Sequence, residues 1–272
     1  MTKRPRVLAA LEGYAVEGGI DGPRDPATCY RATIALGRHE GPGAGDELWR
    51  DYEQVLALVP SLGLDGVRLG VEWARVEPHR GVVDDAALER YARAVSFARS
   101  LDLHVSVVVV DNAWPSWLGL EAWLLPWVVP HVLAQARRLV QRFGNDLGAL
   151  VPFADAAGLA ERGFVRATAP PWRARATADA DSARRQLDLI IGALASDELV
   201  GPRLVASART LDVDADARLL ADVLAERQPV EEIHLRSLVR GRGPSAARAG
   251  LLERREGVWQ RSSAGELLKV LG

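Results

Sequence analysis

The sequence predicts an α/β protein with a mainly parallel sheet, a TIM-type (β/α) barrel shortened to about six recognisable core strands. Three observations predict it. Short β-branched or aliphatic runs alternate with longer amphipathic stretches, the pattern of strands joined by crossover helices. The clearest run, His104–Val110, is nearly continuous in valine, as a strand buried on both faces requires. The chain has 272 residues, close to the ~250 of a full (β/α)8 barrel and enough to bury a large core.

The strand candidates in order are Val7–Leu11, Gly66–Trp73, His104–Val110, Leu147–Asp155, Arg203–Arg209 and Glu232–Val239. Helical stretches separate them. Asp46–Gly63 puts Leu48, Tyr52, Val55, Leu56 and Val59 on one face and ends at Gly63, a C-cap candidate. Asp84–Asp102 opens with acidic residues, which suit the positive end of a helix dipole. Pro130–Gly144 has proline at its start and glycine at its end. Segments 179–198 and 214–228 complete the helices. The longest loop-like stretches, Gly18–Gly45 and Ala156–Thr177, both follow strands and so belong at the end of a barrel where ligands bind. One domain spanning 1–272 is expected.

Composition narrows the partners. Lys+Arg is 34 and Asp+Glu is 36, for a net charge of −2. That balance gives no electrostatic reason to expect nucleic acid or an anionic membrane surface. Cys29 is the one cysteine, so neither a disulfide framework nor a multi-cysteine metal centre is expected. The five histidines show neither HxH nor HExxH spacing, so no zinc site is expected. Dinucleotide, P-loop and nucleophile-elbow motifs are missing from the sequence, and no cofactor is expected. The N-terminal stretch lacks a long apolar segment and no run reaches ~18 apolar residues, so a cytoplasmic protein is the default.

Several polar residues fall at strand ends. Asp155 reads as a general acid with a raised pKa or as a polar residue capping the next turn. Asp111 and Asn112 follow the apolar run Val107–Val110. They could bind a ligand at the barrel mouth or form an Asx turn. Arg68 and Glu72 point to one side of the second strand. An arginine in a buried strand needs a carboxylate, and Glu72, Asp155 and Glu17 are the candidates. His234 and Arg236 likewise share a face. Turned inward they would make a cationic mouth suited to an anionic ligand; turned outward they meet solvent. Trp114, Trp117, Trp123 and Trp127 lie within one short stretch. They read as a sugar platform, as core packing or as an interface, with packing favoured for Trp123.

The order of motifs resembles family 1 glycoside hydrolases, the β-glucosidase and β-galactosidase group. Gly13–Gly19 (GYAVEGG) looks like that family's Tyr-Gln-Val-Glu-Gly segment. Leu62–Pro78 (LGLDGVRLGVEWARVEP) looks like its second strand, with Arg68, Trp73 and Arg75 in matching places. The third strand with its Trp-Leu turn, and the helix and strand leading to Ala154-Asp155-Ala156, are also similar. Glu232–Val239 and 248–264 look like remnants of the last strand and the hairpin beyond it.

The resemblance implies a retaining glycosidase, which needs two carboxyls about 5–5.5 Å apart. The family's acid/base glutamate would fall on Asp155, one methylene shorter, and a shift on that scale can cost about 10²-fold. The nucleophile motif is missing, and two βα units with it. The family's Gln falls on Ala15, its His and Trp on Asp111 and Asn112, and the Trp of its last-strand Trp-Ser-Leu on Arg236. A degenerate protein follows, retaining a mouth for a sugar or glycosylated small molecule formed by Glu17, Arg68, Glu72, Asp111, Asn112, Trp114, His234 and Arg236. Two alternatives stand beside it. Asp155 with Asp111 or Glu17 could run repurposed acid/base chemistry. Or the chain could be a structural or interaction protein, its open strand edges covered in a homodimer.

Overall fold

The computed structural model describes residues 5–43, 48–173, 177–205, 208–212, 231–236, 252–255 and 258–261. Six strands form one parallel sheet: β1 (Arg6–Leu11), β2 (Gly66–Gly70), β3 (His104–Val110), β4 (Ala149–Phe153), β5 (Ala208–Asp212) and β6 (Glu232–Arg236). Their spatial order is β4-β3-β2-β1-β6-β5. Two further strands, β7 (Leu252–Arg255) and β8 (Val258–Arg261), pair as an antiparallel hairpin, as expected for that stretch.

The helices are α1 (Gly13–Val16), α2 (Arg31–Ala35), α3 (Leu48–Leu58), α4 (Trp73–Val76), α5 (Asp85–Ser100), α6 (Val128–Phe143), α7 (Ala156–Ala160) and α8 (Thr177–Ala195). Three longer ones follow the local signals read from the sequence. The chain leaves the turn after α3 through Gly63 at φ 74°, a left-handed position that a side chain would strain. The Asp84 carboxylate caps α5 by accepting from Ala87 N. Asp84→Ala should therefore cost about 1 kcal/mol, read as a lowered midpoint in urea; an unchanged midpoint would show the cap to be idle. Helix α6 buries Val132, Ala136, Leu139, Val140 and Phe143 against the sheet side of the core.

Alternate residues on each strand separate into two environments. Val7, Ala9 and Leu11, with Val67, Leu69, Val105, Val107 and Val109, join the large core shared with the helices. The opposite face carries Arg68, Ser106, Val108, Val151, Glu232 and His234, all buried. At its lower end Glu232 accepts from His104 Nε2 at 2.9 Å, His234 Nε2 at 2.8 Å and Ser106 Oγ at 2.8 Å. Burial works to raise the Glu232 pKa, but these three donors outweigh it and hold the carboxyl at about 2. Burial lowers the pKa of His234. The barrel interior is thus filled by a satisfied polar network, not left as a pore.

The sheet rolls far enough for one edge to meet the chain that leads into the other. Leu204 bridges Leu150 of β4 in parallel, and Val205 N donates to Leu150 O at 2.9 Å. Three residues on begins β5 (Ala208–Asp212), the other edge strand, which pairs with β6. Three residues of chain span at most about 11 Å, and each end lies one strand spacing from its partner, so β4 and β6 are held within about 20 Å of each other, roughly four strand spacings. The outer edge of β4 is thus met at Leu150 by the residues that lead into β5. This also explains why the fifth strand sits later than 203–209: the first residues of the stretch pair with β4 and its last with β6.

A second difference lies in Ala156–Thr177, which reads as a loop but begins with α7 and a π-turn, Glu161–Val165. The glycines and alanines there hide a helix whose start is fixed by a side-chain cap. The expected helix at 214–228 lies outside the described residues.

Candidate ligand site at the barrel mouth

The strand ends bring charged groups together at the mouth. Arg68, 1 % exposed, projects from β2 between its neighbours. Its Nη1 donates to Ala154 O beyond β4 at 3.3 Å, and its Nη2 lies 3.6 Å from Glu12 Oε1 at the end of β1. Among the described residues its carboxylate partner is therefore Glu12, in place of the Glu72, Asp155 or Glu17 anticipated. One guanidinium ties the ends of two strands that are not neighbours in the sheet.

Asp111, at the end of β3, makes a second tie. Its Oδ2 accepts from Gly13 N at 2.6 Å, reaching across β2 to the chain leaving β1. That reach requires Gly70: a Cβ there would lie 2.1 Å from Asp111 Oδ2 and 2.6 Å from Gly13 N. Burial, then the nearby Glu12 charge, pushes the Asp111 pKa up to about 6. Asn112 donates to Asp111 Oδ1 at 3.3 Å and is half-buried beside it.

Glu17 and Glu72 sit deeper, toward the helices. Arg75 Nε donates to Glu17 Oε2 at 2.8 Å, and Arg75 Nη2 also donates to Gly18 O. The Tyr91 hydroxyl donates to Glu17 at 2.9 Å and accepts from Glu72 N at 3.0 Å. Glu72 caps α4 through Oε1, which accepts from Ala74 N at 3.2 Å, while its Oε2 is buried without a hydrogen-bond partner. Burial, followed by the Glu17 charge, pushes the Glu72 pKa up to about 8. Burial also raises the Glu17 pKa, against the pull of Arg75. Glu17, Trp49, Arg90 and Tyr91 line a cavity of about 30 Å³ between the sheet and α3 and α5, room for a water molecule or two.

Asp155 caps α7, its Oδ1 accepting from Gly158 N at 2.8 Å, while Arg162 Nη1 donates to its Oδ2 at 2.8 Å. Trp114 is buried, donates from Nε1 to Gly119 O at 2.9 Å and packs edge-on against Trp123 at 5.3 Å. Trp123 is fully buried between Trp114 and Phe153. Trp117 Nε1 donates to Glu77 O at 2.8 Å. His234 faces the interior, but its ring turns to Glu232, well below the mouth. The Arg236 side chain lies outside the described residues. Among these residues no group of three or more His, Cys, Asp or Glu side chains could hold a metal ion.

Three contributors escaped the sequence reading. Glu12 had a usable signal, being a carboxylate at a strand's C-terminal end. Tyr91 had none, since a tyrosine on the apolar face of α5 looks like core. Arg162 was hidden by the missed helix.

No protein-family model matches the chain. Among curated proteins it is similar to the β-glucosidase-like SFR2 of rice, 29 % identical over 151 residues, covering 52 % of this chain and 23 % of that protein. β-Glucosidase 21 of rice is 24 % identical over 171 residues, covering 61 % of this chain and 33 % of that protein. Among solved structures, the family 1 β-glucosidase of Thermotoga maritima superposes with a TM-score of 0.65 at 16 % identity, covering 77 % of this chain and 48 % of that one. Aphid myrosinase gives 0.66 at 15 % identity, covering 79 % and 50 %. The chain is a shortened α/β barrel protein, similar to the family 1 glycosidases. It spans about a quarter to a third of these curated relatives and about half of these solved structures.

Proposed function

We propose that this protein binds a sugar or glycosylated small molecule at the C-terminal mouth of the barrel and does not carry out the standard retaining hydrolysis. The observation that carries this reading is the engagement of Asp155, the residue in the acid/base place. Its two carboxyl oxygens are taken up by the α7 cap and by Arg162. The mouth supports the binding half. Glu12, Asp111 and Asn112 offer acceptors and an amide around Arg68, a set that suits vicinal hydroxyls acting as both donors and acceptors. The β-glucosidase relatives give the ligand class its prior, and such a site needs no cofactor.

The test pairs binding with turnover. A sugar at 100 times its dissociation constant stabilises the folded chain by about 2.7 kcal/mol. We expect a thermal shift with a hexopyranoside or sugar phosphate that is lost in Asn112→Ala, and no nitrophenyl glycoside turnover. Turnover that vanishes in Asp155→Ala would overturn the non-hydrolytic half, and no shift with any sugar would overturn the binding half. A second reading, acid/base chemistry on a glycoside, is favoured by Asp111, whose pKa of about 6 suits proton transfer near neutrality. It requires a pH–rate profile with that pKa, abolished in Asp111→Asn.

A further inference from the structure

Two segments that follow barrel strands meet through aromatic rings. Tyr30 comes from the loop after β1, and Trp172 from the segment after β4; their centroids are 5.7 Å apart, edge to face. Tyr30 stacks on Tyr14 at 4.6 Å and meets His39 at 4.7 Å. Both Tyr30 and Trp172 remain half-buried. Tyr30 lies beside the strand ends, because Tyr14, on which it stacks, directly follows Gly13, the backbone donor to Asp111.

Both loops are held rigidly. In the first, the buried Asp21 accepts from Thr28 N at 2.7 Å and from the Tyr14 hydroxyl at 3.1 Å. Cys29 N and Ser116 N each make 2.9 Å bonds that fasten this loop to the one after β3. In the second, Arg173 N donates to Gly163 O at 2.8 Å. Gly163 is needed there, because a Cβ would lie 2.6 Å from Pro170 O. Trp172 itself holds φ at 55°, a left-handed conformation that costs a bulky residue free energy.

We infer that Trp172, braced by Tyr30, is a stacking platform for the apolar face of a neutral pyranoside whose hydroxyls reach Glu12, Asp111 and Asn112. This rests on the sugar-binding reading above and names its aromatic subsite. The loops after β1 and β4 supply the rings. Aromatic faces and a few convergent polar groups are the usual composition of a small-molecule site.

Titration of the full chain with methyl β-glucopyranoside, followed by tryptophan fluorescence and calorimetry, tests the assignment. We expect a fluorescence change in the parent protein, loss of that change with about tenfold weaker binding in Trp172→Ala, and near-parent binding in Trp172→Phe. Undiminished binding by Trp172→Ala overturns the platform and leaves the sugar-binding reading intact. Absence of binding by the parent protein to this glycoside and to a panel of other neutral pyranosides overturns both. Loss in both variants, with unchanged thermal midpoints, also overturns the platform, since an aromatic ring would then not suffice.

Discussion

Replacing Glu72 by glutamine is expected to stabilise the protein at pH 8, by on the order of 4 kcal/mol. Glu72 is 1 % exposed and one of its carboxyl oxygens is buried without a hydrogen-bond partner. Burial and the Glu17 charge lift its pKa from an ordinary 4.5 to about 8. The folded chain therefore holds this proton where the unfolded chain has released it. Below about pH 4.5 both states are protonated and the group is neutral with respect to folding. Between about pH 4.5 and 8 the unfolded state is favoured progressively, and above about 8 the loss levels off. Glutamine keeps the oxygen that accepts from Ala74 N and removes the charge. Denaturant unfolding from pH 5 to 9 should show the parent losing stability across that window and Glu72→Gln losing much less. Parallel curves would mean that Glu72 ionises freely in the folded state.

Gly70→Ala should be among the most damaging single substitutions, costing about 3 kcal/mol or more. The new methyl would lie 2.1 Å from Asp111 Oδ2 and 2.6 Å from Gly13 N, so it drives the carboxylate off the backbone donor it holds. Both neighbours are fixed, one on β3 and one at the exit from β1, and β2 lies between them. An Asp111→Ala change on the Gly70→Ala background should recover part of the loss, because it removes one side of the clash. Gly192→Ala is the control: it lies on the exposed face of α8, with nothing within 4 Å of the added carbon, and should stabilise by about 0.5–1 kcal/mol. Equal urea midpoints for the parent and Gly70→Ala would show that β2 can give way there.

These two residues also mark how far the sequence could be read. The strands were legible because valine-rich β3 and the apolar runs of β1, β2 and β4 carry their period in the residues themselves. The start of α5 was legible in Asp84 and the end of the turn after α3 in Gly63, since caps are local chemistry. Pairings across the barrel were not. Arg68 plainly needed a carboxylate, but choosing Glu12 over Glu17 or Glu72 depends on which strand end curls over β2. Asp155 offered two readings by position, and only the place of Gly158 N and Arg162 shows its carboxylate to be engaged. The raised pKa values of Glu72 and Asp111 arise from burial and neighbours on separate strands, which no spacing rule contains.

The place of β1 between β2 and β6 sets an order on assembly. β1 pairs with β2 across a 54-residue connection that carries α1 to α3, and β2, β3 and β4 add in sequence. The other side of β1 waits for Glu232–Arg236, whose register sets Arg6 against Glu232. That contact spans most of the polypeptide, and loop closure on this scale is slow. A chain emerging from the ribosome would complete four adjacent strands long before the last partner of β1 exists. Hydrogen-exchange labelling during refolding should therefore protect the amides of β3 before those that join β1 to β6.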